Sequence, residues 1–127
     1  MIPVDSTATI LVVDDDFDTR EFLVLLVDDA GYHVVEAASG AAALAAVAAQ
    51  PVHAIVLDLR LPDMDGLAVC RHLRADGYPD LPIILVTADQ TPGLARRADE
   101  AGVTTMLAKP FAPEALLARL RLVLPEG

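Results

Sequence analysis

Asp14-Asp15, Asp58, Thr87 and Lys109 each stand at or just after the end of a short apolar run. The runs are Ile10–Val13, Ile55–Leu57, Ile83–Val86 and Met106–Ala108. Brought together, three carboxylates, a hydroxyl and an ammonium suit a divalent cation and a phosphoryl group. Mg2+ takes hard oxygen ligands, often one or two carboxylates together with phosphate oxygens. Adjacent aspartates after a strand can give one direct ligand and one through water. A carboxylate such as Asp58 is ordinarily ionised at neutral pH and can attack phosphorus without a general base, giving an aspartyl phosphate. The Thr87 hydroxyl could donate to a phosphoryl oxygen, and the small Ala88 leaves room beside it. Lys109 is the one lysine among nine cations. A compact ammonium on a flexible stem offers what a guanidinium does not.

Each residue has an ordinary explanation when taken alone. Acidic runs open helices, where the dipole favours them. Asp at a strand end forms turns, and Thr favours strands. Convergence changes the balance, because carboxylates held close together repel unless a cation or a proton intervenes.

Short apolar runs read as buried strands. Strands fall at about Thr9–Val13, His33–Glu36, Ala54–Leu57, Leu81–Val86 and Thr104–Leu107. Helices fall at about Asp18–Ala30, a Ser39-capped alanine-rich stretch up to Pro51, a segment to about Arg74, a segment ending near Gly102, and Pro113–Leu124. Gly31 stops the first. Arg60–Gly66 reads as a loop, and Thr91-Pro92 as an N-cap followed by Pro at the first helical position. Strands alternating with helices imply parallel βαβ crossovers with helices on both faces. The expected fold class is α/β, a doubly wound five-stranded parallel sheet in the order 2-1-3-4-5. That is the known flavodoxin-like order, and these residues do not fix it independently. In such sheets ligands bind beyond the carboxyl ends of the strands, where the polar set would meet.

The chain has 127 residues, which fits one domain, and 54% of them are hydrophobic. With three Phe, two Tyr and no Trp, the core must be aliphatic. A net charge of −10 argues against gripping nucleic acid or an anionic membrane by this domain alone. Cys70 is the lone cysteine, which excludes an intrachain disulfide and favours a reducing, cytoplasmic setting. No Lys or Arg precedes Arg20, so a secretory leader is not expected. No apolar stretch approaches the ~18 residues of a membrane span. His33, His53 and His72 form no metal pattern, and Cys70 reads as a small buried residue. Arg96-Arg97 and Arg119–Arg121 read as solvated faces of the last two helices.

The strings Ile10-Leu11-Val12-Val13-Asp14-Asp15-Asp16, Val56-Leu57-Asp58-Leu59-Arg60-Leu61-Pro62-Asp63-Met64-Asp65-Gly66, Val86-Thr87-Ala88 and Lys109-Pro110-Phe111 occur in this order. Each is weak alone and together they are specific. The chain resembles the receiver domain of bacterial two-component response regulators over residues 9–124. Residues 1–8 are then a flexible tail, and 125–127 a tail or the start of a linker. The resemblance implies that Asp58 accepts a phosphoryl group from a histidine kinase or phosphotransfer protein. It implies that Asp14, Asp15, Asp58 and the backbone carbonyl of Arg60 hold Mg2+, and that Thr87, Ala88 and Lys109 surround the phosphoryl group. The domain would be a regulatory phosphoacceptor, catalysing only its own phosphotransfer and dephosphorylation. A surface on the fourth helix, fifth strand and fifth helix would shift, reaching an output domain or protein or a second copy.

One departure matters. Family members commonly carry Tyr or Phe three residues before the lysine, as a rotameric switch; here the position is Met106. It reads as a gap-filling core methionine that still repacks when Thr87 moves, with weaker coupling. Arg60 and Asp89, each two positions past a site residue, are expected to pair over the pocket mouth and slow attack by water. A cis bond before Pro110 is a further expectation.

Two other functions compete. Asp16-Phe17-Asp18-Thr19 approaches the D-x-D-x-T pattern of haloacid-dehalogenase-like phosphatases, but its Thr comes one position early, Asp14 holds the place directly after the strand, and a later Gly-Asp motif is missing. A binding module that never takes phosphate would not need Asp58, Thr87 and Lys109 together.

Overall fold

The computed structural model describes residues 8–124. Five strands alternate with five helices: β1 Thr9–Val13, α1 Phe17–Asp29, β2 His33–Ala37, α2 Gly40–Ala49, β3 Ala54–Asp58, α3 Gly66–Ala75, β4 Ile83–Thr87, α4 Leu94–Ala101, β5 Thr105–Ala108 and α5 Pro113–Val123. Every pairing is parallel, and the order is β2-β1-β3-β4-β5. This is the expected doubly wound α/β sheet. The expected tails lie outside the described residues, apart from Ala8.

Alternation along the strands builds two cores, one on each face. Leu11, Val13, Ile55, Leu57, Ile83 and Leu85 point to the side covered by α2, α3 and α4. Ile10, Val12, Val56, Ile84 and Val86 point to the side covered by α1 and α5, where they meet Leu23, Val27, Leu116 and Leu120. Burial on both faces explains why β1, β3 and β4 read as unbroken apolar runs.

Several boundaries differ from expectation for local reasons. Pro82 has no N–H to give a ladder, so β4 starts at Ile83 rather than Leu81; the Pro82 carbonyl still accepts from Ile55 N–H at 2.9 Å. Gly66 opens α3 rather than closing the loop, because Asp65 caps that helix through Ala68 N–H. The expected start of the fourth helix at Thr91-Pro92 is not observed. α4 begins at Leu94 after Gly93, whose φ of 89° lies in the left-handed region that favours glycine. Thr91 faces Asp89 instead, giving both its N–H and its hydroxyl to one carboxylate oxygen.

Arg119 is also not part of a solvated face. Its Nη1 donates to Thr105 Oγ1 at 2.7 Å and to the Met106 carbonyl at 2.5 Å. β5 is an edge strand with unpaired backbone groups, and the guanidinium from α5 satisfies one of them. Arg96 is exposed as expected, with Glu100 3.6 Å away.

Candidate functional site

Strand register brings the polar groups to one rim. Val13 is opposite Leu57, Asp58 opposite Val86 and Thr87 opposite Ala108. Asp14 leaves β1 at that level, and Lys109 leaves β5. Lys109 N–H donates to the Thr87 carbonyl at 3.0 Å, extending the ladder by one bond. The Lys109–Pro110 peptide is cis, as expected.

Asp14 is 2% exposed. Its Oδ1 accepts from Asp16 N–H at 2.9 Å, and its carbonyl accepts from Arg20 at 2.7 Å. Its Oδ2 is buried with no hydrogen-bond partner. An unpartnered buried carboxylate oxygen is costly unless something positive meets it. Lys109 Nζ stands 3.6 Å from that oxygen and also 3.6 Å from Asp58 Oδ1. Asp15 is exposed, and ligand oxygens of Asp14, Asp15 and Asp58 all lie within 4.8 Å of one another. Three hard oxygens at this separation fit a small divalent cation.

The environment of Asp58 is mixed. Burial raises its carboxyl pKa above the ordinary aspartate value; the Lys109 charge opposes this and the Asp14 charge adds to it. Thr87 is buried and its Oγ1 accepts from Asp89 N–H at 3.0 Å. Ala88 is exposed beside it. A cavity of about 420 Å³ opens over Asp58, lined by Thr87, Ala88 and Lys109 and bordered by Arg60 and Asp89. Arg60 Nη2 meets Asp89 Oδ2 at 2.5 Å across its mouth, so the expected pair forms. Bonds from Thr91, and then Arg60, hold the Asp89 carboxyl below the ordinary range.

The remaining sequence candidates fall outside this cavity. Asp16 caps α1: its Oδ2 accepts from Thr19 N–H at 2.9 Å and Thr19 Oγ1 at 2.6 Å. The Asp16–Thr19 string therefore serves as a helix cap. Met106 is half-buried on the α2–α3–α4 side of the sheet. His33, His53 and His72 are exposed, and His53 Nδ1 accepts from Thr9 N–H. Cys70 is fully buried. Among the described residues, no helix is long and apolar enough to cross a membrane.

Sequence reasoning missed Asp63. Its two carboxylate oxygens accept from Gly40 and Ala41 at the start of α2. One sequence signal pointed that way: α2 has no acid in its first turn.

The family model described as the response regulator receiver domain matches residues 10–121. The chain is 45% identical over 115 residues to the response regulator MprA of Mycolicibacterium vanbaalenii, covering 91% of this chain and 49% of that protein. It is equally similar to MprA of Mycobacterium avium, covering 91% and 50%. The chain thus spans about half the length of the curated relatives it matches. Its fold superposes on the chemotaxis protein CheY4 of Vibrio cholerae with a TM-score of 0.89 and 34% identity, covering 94% of this chain and 100% of that one. The BeF3-activated DrrB receiver domain gives a TM-score of 0.83 at 30% identity, covering 93% and 97%.

Proposed function

This chain belongs to the response regulator receiver domain family of two-component systems, and from that premise we propose that Asp58 is its phosphoacceptor. The observation that carries the reading is Lys109 Nζ placed equally near Asp58 and the orphaned oxygen of Asp14. An Asp58 oxygen attacks phosphorus, and the bond to the donor group breaks with its electron pair leaving on the donor. For a phosphohistidine donor that pair returns to the imidazole nitrogen. Lys109 attracts the incoming phosphoryl oxygens. Thr87 can donate its hydroxyl proton to one of them, since its oxygen accepts from Asp89. Exposed Ala88 leaves the approach open.

Asp14, Asp15, Asp58 and the Arg60 backbone carbonyl would hold Mg2+. When bound, that ion supplies charge neutralisation between carboxylate and phosphoryl oxygens. With phosphate on Asp58, Thr87 and Lys109 are drawn inward and the surface of α4, β5 and α5 shifts its population. Differential affinity for the two states sets how far it shifts. That surface is where an output domain or protein, or a second copy, would read the signal.

The donor is a histidine kinase or phosphotransfer protein. An apolar hollow of about 420 Å³, walled by Phe22, Leu23, Pro110 and Phe111, shares Ala88 and Lys109 with the acceptor cavity. It offers a seat for a side chain of the donor. The domain acts in the cytoplasm and turns over no substrate other than its own phosphoryl group. Residues 9–124 form the functional unit, with the segments beyond them as tails or linker.

Intact-mass measurement after incubation with Mg2+ and acetyl phosphate tests the reading. One added phosphoryl group on the native chain and none on Asp58→Asn is expected. An unchanged native mass refutes it.

A further inference from the structure

The first four N–H groups of a helix need partners from outside its own ladder. In α2, Ser39 Oγ accepts from Ala42 at 3.1 Å, while the Ser39 carbonyl takes the first ladder bond, from Ala43 at 3.0 Å. The N–H groups of Gly40 and Ala41 donate to Oδ1 and Oδ2 of Asp63, at 2.8 and 2.9 Å. Asp63 lies in the loop that follows the acceptor, not in α2. No residue of Gly40–Ala49 is charged, so the carboxylate that complements this helix terminus comes from the acceptor loop. The two N–H bonds hold its carboxyl below the ordinary range.

The tie also acts on the loop. Its ends are fixed near α3: Gly66 N–H donates to the Leu59 carbonyl at 2.7 Å, and Arg60 bridges to Asp65. Its middle rests on α2. Met64 sits against Gly40 so closely that a Cβ there would collide with the thioether, and Asp63 adds the polar anchor beside it. Between these anchors stands Arg60, whose guanidinium reaches Asp89 and whose carbonyl the acceptor reading assigns to Mg2+.

We propose that Asp63 is a positioning residue for the acceptor site, clamping the loop to α2 so that the Arg60 carbonyl and guanidinium stand correctly beside Asp58. This rests on the acceptor reading above. A cap with a merely structural role would change stability alone. A positioning residue also changes how the site holds its cation.

The test is an NMR titration of the full chain with Mg2+, following the amides of residues 58–60, alongside urea unfolding and the acetyl phosphate reaction. In Asp63→Ala, half-saturation is expected at about tenfold higher Mg2+, the scale of losing a supporting shell around a metal ligand. Asp63→Asn keeps one acceptor oxygen and should fall between native and alanine; if Asp63→Ala does not fold, this variant decides. A lowered urea midpoint with half-saturation within about twofold of native overturns the proposal. A native chain that binds Mg2+ but takes no phosphoryl group sinks the acceptor reading instead, and the Mg2+ shift then judges Asp63 separately.

Discussion

Arg60 crosses the mouth of the site to Asp89, Nη2 to Oδ2 at 2.5 Å, although the Arg60 side chain is 75% exposed and that of Asp89 only 11%. Asp89 is the fixed partner. Its other oxygen accepts from the Thr91 N–H and hydroxyl, and its own N–H donates to Thr87. The pair therefore joins the loop after β3 to the loop after β4, above the Asp58 carboxylate.

A bridge in this place obstructs water approaching the phosphoryl group from outside. Arg60→Ala should shorten the lifetime of the phosphorylated form. Exposed pairs contribute under ~1 kcal/mol, which limits the acceleration to about fivefold. Decay of the phosphorylated mass over time measures it. Equal decay in variant and native chains would show that the bridge shields nothing.

The raised pKa of Asp58 gives a stability prediction for Mg2+-free solution. An acid whose folded pKa lies above its unfolded value binds its proton more tightly when folded. Its contribution is fully favourable below the unfolded value, about 3.9, and is lost as pH rises through the folded value. At neutral pH the Asp58 charge therefore costs stability. Asp58→Asn should raise the urea midpoint at pH 7, and the gain should shrink as pH falls toward 4. A gain independent of pH would mean that volume or hydrogen bonding, not charge, sets the effect.

Asp15 is exposed while Asp14 is buried, and this difference separates binding from folding. With chelator present, Asp15→Ala should unfold within about 0.5 kcal/mol of native, as surface substitutions do. With Mg2+ at a hundred times its dissociation constant, the native chain should gain about 2.7 kcal/mol and the variant much less. Thermal unfolding with and without chelator reads both. An equal gain in the two chains would remove Asp15 from the cation site.

The strands, the helices and the rim of the site were legible because they rest on local signals; the strand order came from the resemblance. Buried parallel strands leave unbroken apolar runs, and Asp14, Asp58, Thr87 and Lys109 mark where those runs end. What could not be read was set by contacts between distant elements. Thr91 looked like a cap because Thr-Pro often opens a helix. In the fold its hydroxyl prefers Asp89, and Gly93 turns the chain first. Arg119 looked solvated because an edge strand's unpaired carbonyl has no signature in sequence. Asp63 looked like one more loop acid, since its partners lie more than twenty residues earlier.

Met106 stands where relatives commonly place an aromatic ring, and its surroundings fix what it can transmit. Its side chain is half-buried against the α2–α3–α4 core, while its carbonyl is pinned by Arg119. The backbone of β5 is thereby tied to α5, so the response at this position must come from the side chain. A thioether has three rotatable bonds and fills irregular gaps. On the proposed reading it would follow an inward movement of Thr87 without a single in-or-out jump, which would weaken coupling to the α4–β5–α5 surface. The Met106 methyl resonance should therefore shift on phosphorylation while keeping the averaged signature of several rotamers. Met106→Tyr should instead give two resolved states and a larger change at α4. An unmoved Met106 methyl on phosphorylation would reduce the residue to core filling, and the signal would have to leave the site through Thr87 and α4 alone.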